Sequence, residues 1–239
     1  MIESEKPHRN CETCTSANTN TLFCSLGIEE RIVFNSHKKD FEAKKGDILF
    51  EEGKYPKGIF IVYKGKIKIS KLGDEGKEQI VRFAKSGDII GYRALLSEES
   101  YRATATAITK VQLCHIAKED FFKVLTSNRF LYKDIIKKLA SDLRKAENRI
   151  LSISQKTVRQ RVAETLVILH LEFGSTTNNT IDVKLSRKDI GNTAGSTIES
   201  TIRTLSMFKA EGIIKIDGKD IIVKDLPKLI NISNFKFSN

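Results

Sequence analysis

Four cysteines carry the densest chemistry in this 239-residue chain: Cys11, Cys14 and Cys24 near the start, and Cys114 alone in the middle. A Cys-x-x-Cys pair, a third thiol nearby and a distant fourth make up the ligand count of a tetrahedral thiolate site. By themselves they suit structural zinc as well as iron and sulfur, and Cys11 with Cys14 also suits a thiol–disulfide switch without metal. Haem ligation through His8, His37, His115 or His170 is a further option, although a lone histidine is more often an ordinary surface or core residue. If Cys114 folds back to the other three, the input to this protein is a metal or a redox change.

A second constellation lies near the other end. Ile198, Glu199, Ile202 and Arg203 share one stripe of an expected helix over 197–210, which sets a carboxylate and a guanidinium one turn apart. In a DNA major groove an Arg bonds G O6 and N7 bidentately, and a carboxylate accepts from cytosine N4. At i and i+4 the two side chains are also expected to pair with each other when unbound. Alone, such a pair is usually a surface ion pair of small worth. Thr197 and Ser200 flank it, and Ser186, Arg187, Lys188 and Lys219 are suited to anchoring phosphates, which positions a module without reading sequence.

These residues need elements to hold them. Over 186–192 a short helix is expected, with Ser186 at the N-cap and Asp189 at N3, and Gly195 marks a tight turn before the next helix. Thr201, Leu205 and Phe208 form the stripe that packs the two helices together. Residues 213–216 and 221–223 then read as a hairpin around Asp217-Gly218, with a type I′ turn expected there, which makes a wing. Residues 181–185 alternate like a further strand, and 158–173 form an amphipathic helix with Val162, Leu166, Leu169 and Phe173 on one face.

Upstream, short β-type runs at 59–63, 66–70, 79–83 and 111–116 are punctuated by glycines, the pattern of an antiparallel sandwich or barrel. A short helix is expected over 28–38. From 128 to 154, Tyr132, Ile136, Leu139, Leu143, Ala146, Ile150 and Ile153 recur at spacings of 4, 3, 4, 3, 4 and 3. That narrow heptad stripe predicts a parallel dimer seam.

Lys and Arg number 41 against 30 Asp and Glu, a formal net charge of +11, which favours an anionic partner, with nucleic acid ahead of membrane. No apolar run reaches the roughly 20 residues of a membrane helix. The start lacks the apolar segment of a signal peptide, so a cytoplasmic protein with reduced thiols is expected. No Ser-His-Asp, Walker or metal-hydrolase motif is present. The acidic pairs Glu51-Glu52 and Glu98-Glu99 lie in turn-like segments, so an enzyme is not expected.

The order of sandwich, long helix and winged helix-turn-helix resembles the Crp/Fnr family of bacterial transcription regulators over about residues 20–230. The resemblance is carried by Lys188-Asp-Ile-Gly-Asn192, Gly195, Glu199 and Arg203, and by Ser86-Gly-Asp-Ile-Ile-Gly91. Cyclic-AMP binders of the family follow that last turn with Glu and later carry Arg-Ser or Arg-Thr. Here Tyr92 takes the Glu position and Ala103 follows Arg102, so no cAMP is expected. The Fnr branch has an aromatic at that position and holds a [4Fe–4S] cluster by three N-terminal cysteines and one from the sandwich. The resemblance thus implies Cys11, Cys14, Cys24 and Cys114 as its ligands. Nine residues separate Cys14 from Cys24, more than Fnr proteins usually have, an excess that a loop absorbs at small entropic cost.

Ile202 stands where Fnr proteins use Ser, and can touch a thymine methyl. Ala146 stands where an acidic residue can oppose dimerisation, so this dimer is expected to depend less on its cluster. The resemblance further implies a pseudo-palindromic operator near TTGA…TCAA and RNA polymerase as a partner, while the heptad spacing gives the seam residues as Ile136, Leu139, Leu143, Ala146, Ile150 and Ile153.

The expected fold is α+β. A cysteine-rich arm spans 1–26, an antiparallel β-roll of cyclic-nucleotide-binding type 27–127, a dimerisation helix 128–154 and a winged helix-turn-helix 155–239. The expected function is a DNA-binding regulator that senses oxygen, redox or NO through the cluster. A thiol switch, haem, a small molecule or zinc are the alternative inputs.

Overall fold

The computed structural model describes residues 2–3 and 26–235, so Cys11, Cys14 and Cys24 lie outside the described residues. Contacts divide the chain into two units: residues up to Glu75 with Val81–Arg144, and Gly76–Ile80 with Lys145 onward.

In the first unit the glycine-punctuated runs form two antiparallel sheets. One has the order β1 (Ile2–Glu3), β2 (Lys39–Ala43), β9 (Val111–Ala117), β4 (Gly58–Lys64), β7 (Ile89–Ile90); the other runs β3 (Ile48–Phe50), β8 (Thr104–Ala107), β5 (Ile67–Leu72), β6 (Glu78–Ala84). Inward residues of both sheets, among them Val62, Ile67, Ile69, Ala105, Val111 and Leu113, make one core. The opposite face of the first sheet presents Ile59, Ile89 and Ile116 to a second core. That core is filled from α1 (Ile28–His37), α2 (Tyr92–Leu96), α3 (Lys118–Ser127) and the start of α4 (Arg129–Gln155). A strand covered on both faces needs no polar alternation, which is why 59–63 is a continuous apolar run.

Several of these elements are not visible in the sequence pattern. Helix α3 follows β9 directly, and its N-cap, Ala117, offers no side-chain hydrogen bond, so it lacks a start signal. Strands β2, β3, β7 and β8 are short and draw their stability from cross-strand pairing. Helix α4 does start on a visible cap: Asn128 Oδ1 accepts from the Phe130 and Leu131 amides at 2.9 and 2.8 Å.

The second unit contains the end of α4, α5 (Val158–Phe173), α6 (Arg187–Ala194), α7 (Ile198–Ala210), the hairpin β10 (Ile214–Asp217) with β11 (Asp220–Val223), and α8 (Leu226–Ser233). Helix α5 opens with a capping box between Thr157 and Gln160 and buries Val162, Leu166 and Leu169. Helix α8 starts at Asp225, which caps the Lys228 amide at 2.9 Å. Two expectations are corrected here. Residues 181–185 do not form a strand. Of these only Ile181 makes a bridge, to Ser175, because the Val183 amide bonds back to Ile181 O at 2.7 Å and breaks the ladder; Ile181, Val183 and Leu185 are nonetheless buried. The hairpin closes around Gly218-Lys219, and of these two only Gly218 has a positive φ, which a type I′ turn does not allow.

Candidate nucleic-acid interface and thiolate site

The helix pair of the second unit is built by local chemistry. Ser186 Oγ accepts from the Asp189 amide at 3.0 Å and donates to Asp189 Oδ2 at 2.6 Å, which closes the first turn of α6. Gly195 ends that helix at φ 62°, ψ 45°, a left-handed cap that glycine adopts without strain. Gly191 is required by close approach: a Cβ there would lie 2.9 Å from Thr201 Oγ1 and 3.1 Å from Ser196 O. Helix α7 then starts at Thr197, whose hydroxyl accepts from the Ser200 amide at 3.2 Å.

Thr201, Thr204, Leu205 and Phe208 are the buried side of α7. Glu199, Ile202 and Arg203 are exposed together on its other side, and Ile202 retains 47% of its surface. The Glu199–Arg203 pair expected from the spacing does not form: among the described residues no ion pair joins them. The acidic and the basic group are each presented outward. Lys188 at the start of α6 and Lys219 at the wing tip are exposed, and Ser200 is half-buried. Arg187 Nη2 donates to Gly218 O at 2.9 Å, so this residue ties α6 to the wing turn.

Two arginines fix this head, and neither was singled out by sequence reasoning. Arg161 on α5 donates to Ala194 O at 2.8 Å, Gly195 O at 3.1 Å and Lys156 O at 2.6 Å. It thereby satisfies carbonyls at the end of α6 and in the link before α5 that no helix bond reaches. Arg159 clasps Glu211 with two bonds of 2.8 Å and stacks 5.0 Å from the Phe208 ring centre. The hydrogen bond from Arg159 holds the Glu211 carboxyl below its ordinary value. An arginine inside an amphipathic helix leaves no spacing signal; only the end of α6 folded against it reveals the role.

On α4, Tyr132, Ile136, Leu143, Ile150 and Ile153 are exposed, with Leu143 at 61% and Ile150 at 68%, and Ala146 is exposed among them. Leu139 differs: it is half-buried and packs on the core of its own unit. Tyr92, fully buried at the start of α2, donates to Asp142 Oδ2 of α4 at 2.6 Å.

Cys114 is buried on β9, opposite Asp40 on β2 and Ile61 on β4. Its thiol donates to Asp40 Oδ1 at 3.2 Å. It shares a face of β9 with Ile116, and Ile116 belongs to the same apolar cluster as Leu26. Among the described residues no group of three His, Cys, Asp or Glu side chains is arranged to hold a metal. Of the histidines raised as haem ligands, His8 lies outside the described residues and His37 bonds Asp120 Oδ1 at 3.0 Å. His170 lies on α5. His115 sits 4.9 Å from the Phe60 ring centre, where burial and then the Lys39 charge lower its basicity. No helix among the described residues is long and apolar enough to cross a membrane.

Residues 41–128 match the cyclic nucleotide-binding domain family, and residues 160–232 match the Crp-like helix-turn-helix domain family. The chain is 27% identical to the transcriptional activator protein Anr of Pseudomonas aeruginosa, covering 92% of this chain and 90% of that one. It is also 27% identical to the fumarate and nitrate reduction regulatory protein of Yersinia pestis, covering 94% and 90%. Among solved structures it resembles FixK2 from Bradyrhizobium japonicum, with a TM-score of 0.74 at 26% identity over 82% of this chain and 96% of that one.

Proposed function

Because this chain belongs to the Crp/Fnr family of DNA-binding transcription regulators, which are not enzymes, we propose that it senses oxygen, NO or redox state through a thiolate-held [4Fe–4S] cluster. The observation that carries this reading is the setting of Cys114. Its neighbour on the strand face, Ile116, shares an apolar cluster with Leu26, and Cys24 is two residues from Leu26, a reach of at most about 7 Å. The other end of the cysteine segment follows β1, whose Glu3 pairs with Phe41 on β2, the strand beside Cys114. Both ends of the segment are therefore tied to the unit that carries the fourth thiol.

Cys11, Cys14, Cys24 and Cys114 supply the four thiolates such a cluster takes. When bound, the cluster supplies an oxygen- and NO-reactive centre and a cross-link between arm and sheet. Ligation requires Cys114 as thiolate, so the proton now shared with Asp40 Oδ1 must leave. The link is expected to steady the unit from which α4 emerges.

The exposed stripe of α4 is the proposed homodimer seam, through Ile136, Leu143, Ala146, Ile150 and Ile153, with Leu139 shared between seam and core. In the dimer the two α7 helices enter successive major grooves of a pseudo-palindromic operator. Glu199 and Arg203 read base edges, Ile202 meets a thymine methyl, and Thr197 and Ser200 border them. Ser186, Arg187, Lys188 and Lys219 engage phosphates. The resemblance to activators extends the partner set to RNA polymerase.

The deciding experiment is anaerobic purification with iron and sulfide analysis, alongside the Cys114→Ser variant. Bound iron and sulfide in about equal amounts, lost in the variant and on exposure to air, is the expected result. Protein prepared anaerobically without iron sinks the cluster. The same four thiolates suit zinc, so zinc that survives air would make the site structural instead.

A further inference from the structure

A carboxylate on a helix costs free energy to bury unless its lone pairs are satisfied. Asp142 is such a group, with 7% of its side chain exposed. Three donors from three elements converge on it. Tyr92 of α2 donates to Oδ2 at 2.6 Å, Arg82 of β6 to Oδ2 at 3.3 Å, and Lys138, one turn earlier on α4, to Oδ1 at 2.9 Å. The Arg82 guanidinium also lies 6.0 Å from the Tyr92 ring centre. All four residues belong to the first unit.

The position of Asp142 along α4 gives this hub its consequence. Leu131 and Ile135 are buried in the core of the roll, Leu139 packs on its edge, and Asp142 continues the same face. After Asp142, residues 143–148 are all exposed. Asp142 is thus the last point at which α4 is held by the roll. Successive helix residues are about 100° apart, so the azimuth of Asp142 sets that of Leu143 and, two turns on, Ile150. Apart from the hub, α4 meets this unit through apolar contacts that end at Leu139 and are not directional, and through the hydrogen bonds of its cap residue Asn128 to Glu30 at the far end of the helix.

We propose that Tyr92, Arg82, Lys138 and Asp142 form a built-in latch that sets the rotation of α4, so that the exposed stripe is presented in register for a second copy of the chain. Tyr92 and Asp142 are positioning residues: they touch neither DNA nor the partner and act through the helix. The proposal rests on the reading of α4 as the dimer seam.

The test uses the full chain, with Tyr92→Phe, which removes only a hydroxyl and keeps the buried ring, Asp142→Asn, and the double variant. Amide hydrogen exchange over 143–155 is expected to be about tenfold faster in each single variant, with α5–α8 unchanged. Operator affinity, measured by fluorescence anisotropy, is expected to fall about tenfold. The double variant should be no worse than Asp142→Asn alone, because the Tyr92 hydroxyl acts only through that carboxylate. A merely packing role would lower the melting temperature without a selective change in α4. If Asp142→Asn fails to fold, Tyr92→Phe decides alone. Wild-type exchange over 143–155 in the folded variants, or losses that add in the double variant, would overturn the latch. Faster α4 exchange in a chain that neither dimerises nor binds operator keeps the latch and sinks the seam reading.

Discussion

Glu199 and Arg203 stand one turn apart on the exposed side of α7, and neither engages the other among the described residues. In the base-reading role proposed for it, Arg203 has no ion pair with Glu199 to break before it bonds guanine. Arg203→Ala is expected to cost about 1–3 kcal/mol of operator affinity, a loss of roughly tenfold or more, with an unchanged circular dichroism spectrum. Asp142 is governed by the opposite logic, that of a buried charge. Burial pushes its carboxyl up, yet hydrogen bonds from Tyr92 and Lys138 with the charges of Lys138 and Arg82 outweigh that and hold it below the ordinary value. A depressed folded value adds stability above the unfolded value and loses it as pH falls through the folded one. The stability gap between wild type and Asp142→Asn, about 2 kcal/mol at neutral pH, should therefore shrink below about pH 4 in thermal melts.

At the scale of elements, the α6–α7 pair depends on one absent side chain. The Gly191 Cβ position lies 2.9 Å from Thr201 Oγ1, so Gly191→Ala forces the helices apart even though alanine favours the helix itself. A net loss of about 1–3 kcal/mol is expected in denaturant titration, together with weaker operator binding, because Thr201 lies on the buried side of α7, the proposed reading helix. This pair was legible in advance: Ser186, Asp189 and Gly195 act within a few residues of themselves. Residues 181–185 were not, since their alternation is real but their partners are the β11 strand and the core of the unit. Helix α3 was equally hidden, because an uncapped start after a strand looks like a continuation of that strand.

At the scale of the whole molecule, a net charge of +11 makes operator binding salt-dependent. Each phosphate contact contributes about 0.9 to the slope of log affinity against log salt, so Lys188→Ala, repeated in two half-sites, should reduce that slope by about 2 while leaving sequence preference intact. The proposed seam is apolar where it is exposed, and Ala146 brings no like charge to it. Protein stripped of any metal is expected to sediment as a dimer at micromolar concentration; a monomer there would show that the seam needs its thiolate site.

By itself the sequence determined the fold class, the heptad stripe and the winged helix-turn-helix, because periodicity, caps and turn glycines are local and need no knowledge of what packs where. It also identified Tyr92 as a departure from the cyclic-AMP pattern, but not what the residue does. The tertiary structure alone decided that its hydroxyl meets Asp142, 50 positions away in the chain, that Arg161 gathers carbonyls from the end of another helix, and that Cys114 shares a sheet face with the cluster holding Leu26. Those contacts join residues distant in sequence, and a side chain's partner across such a distance is set by how the sheets and helices close on one another, which no spacing along the chain encodes.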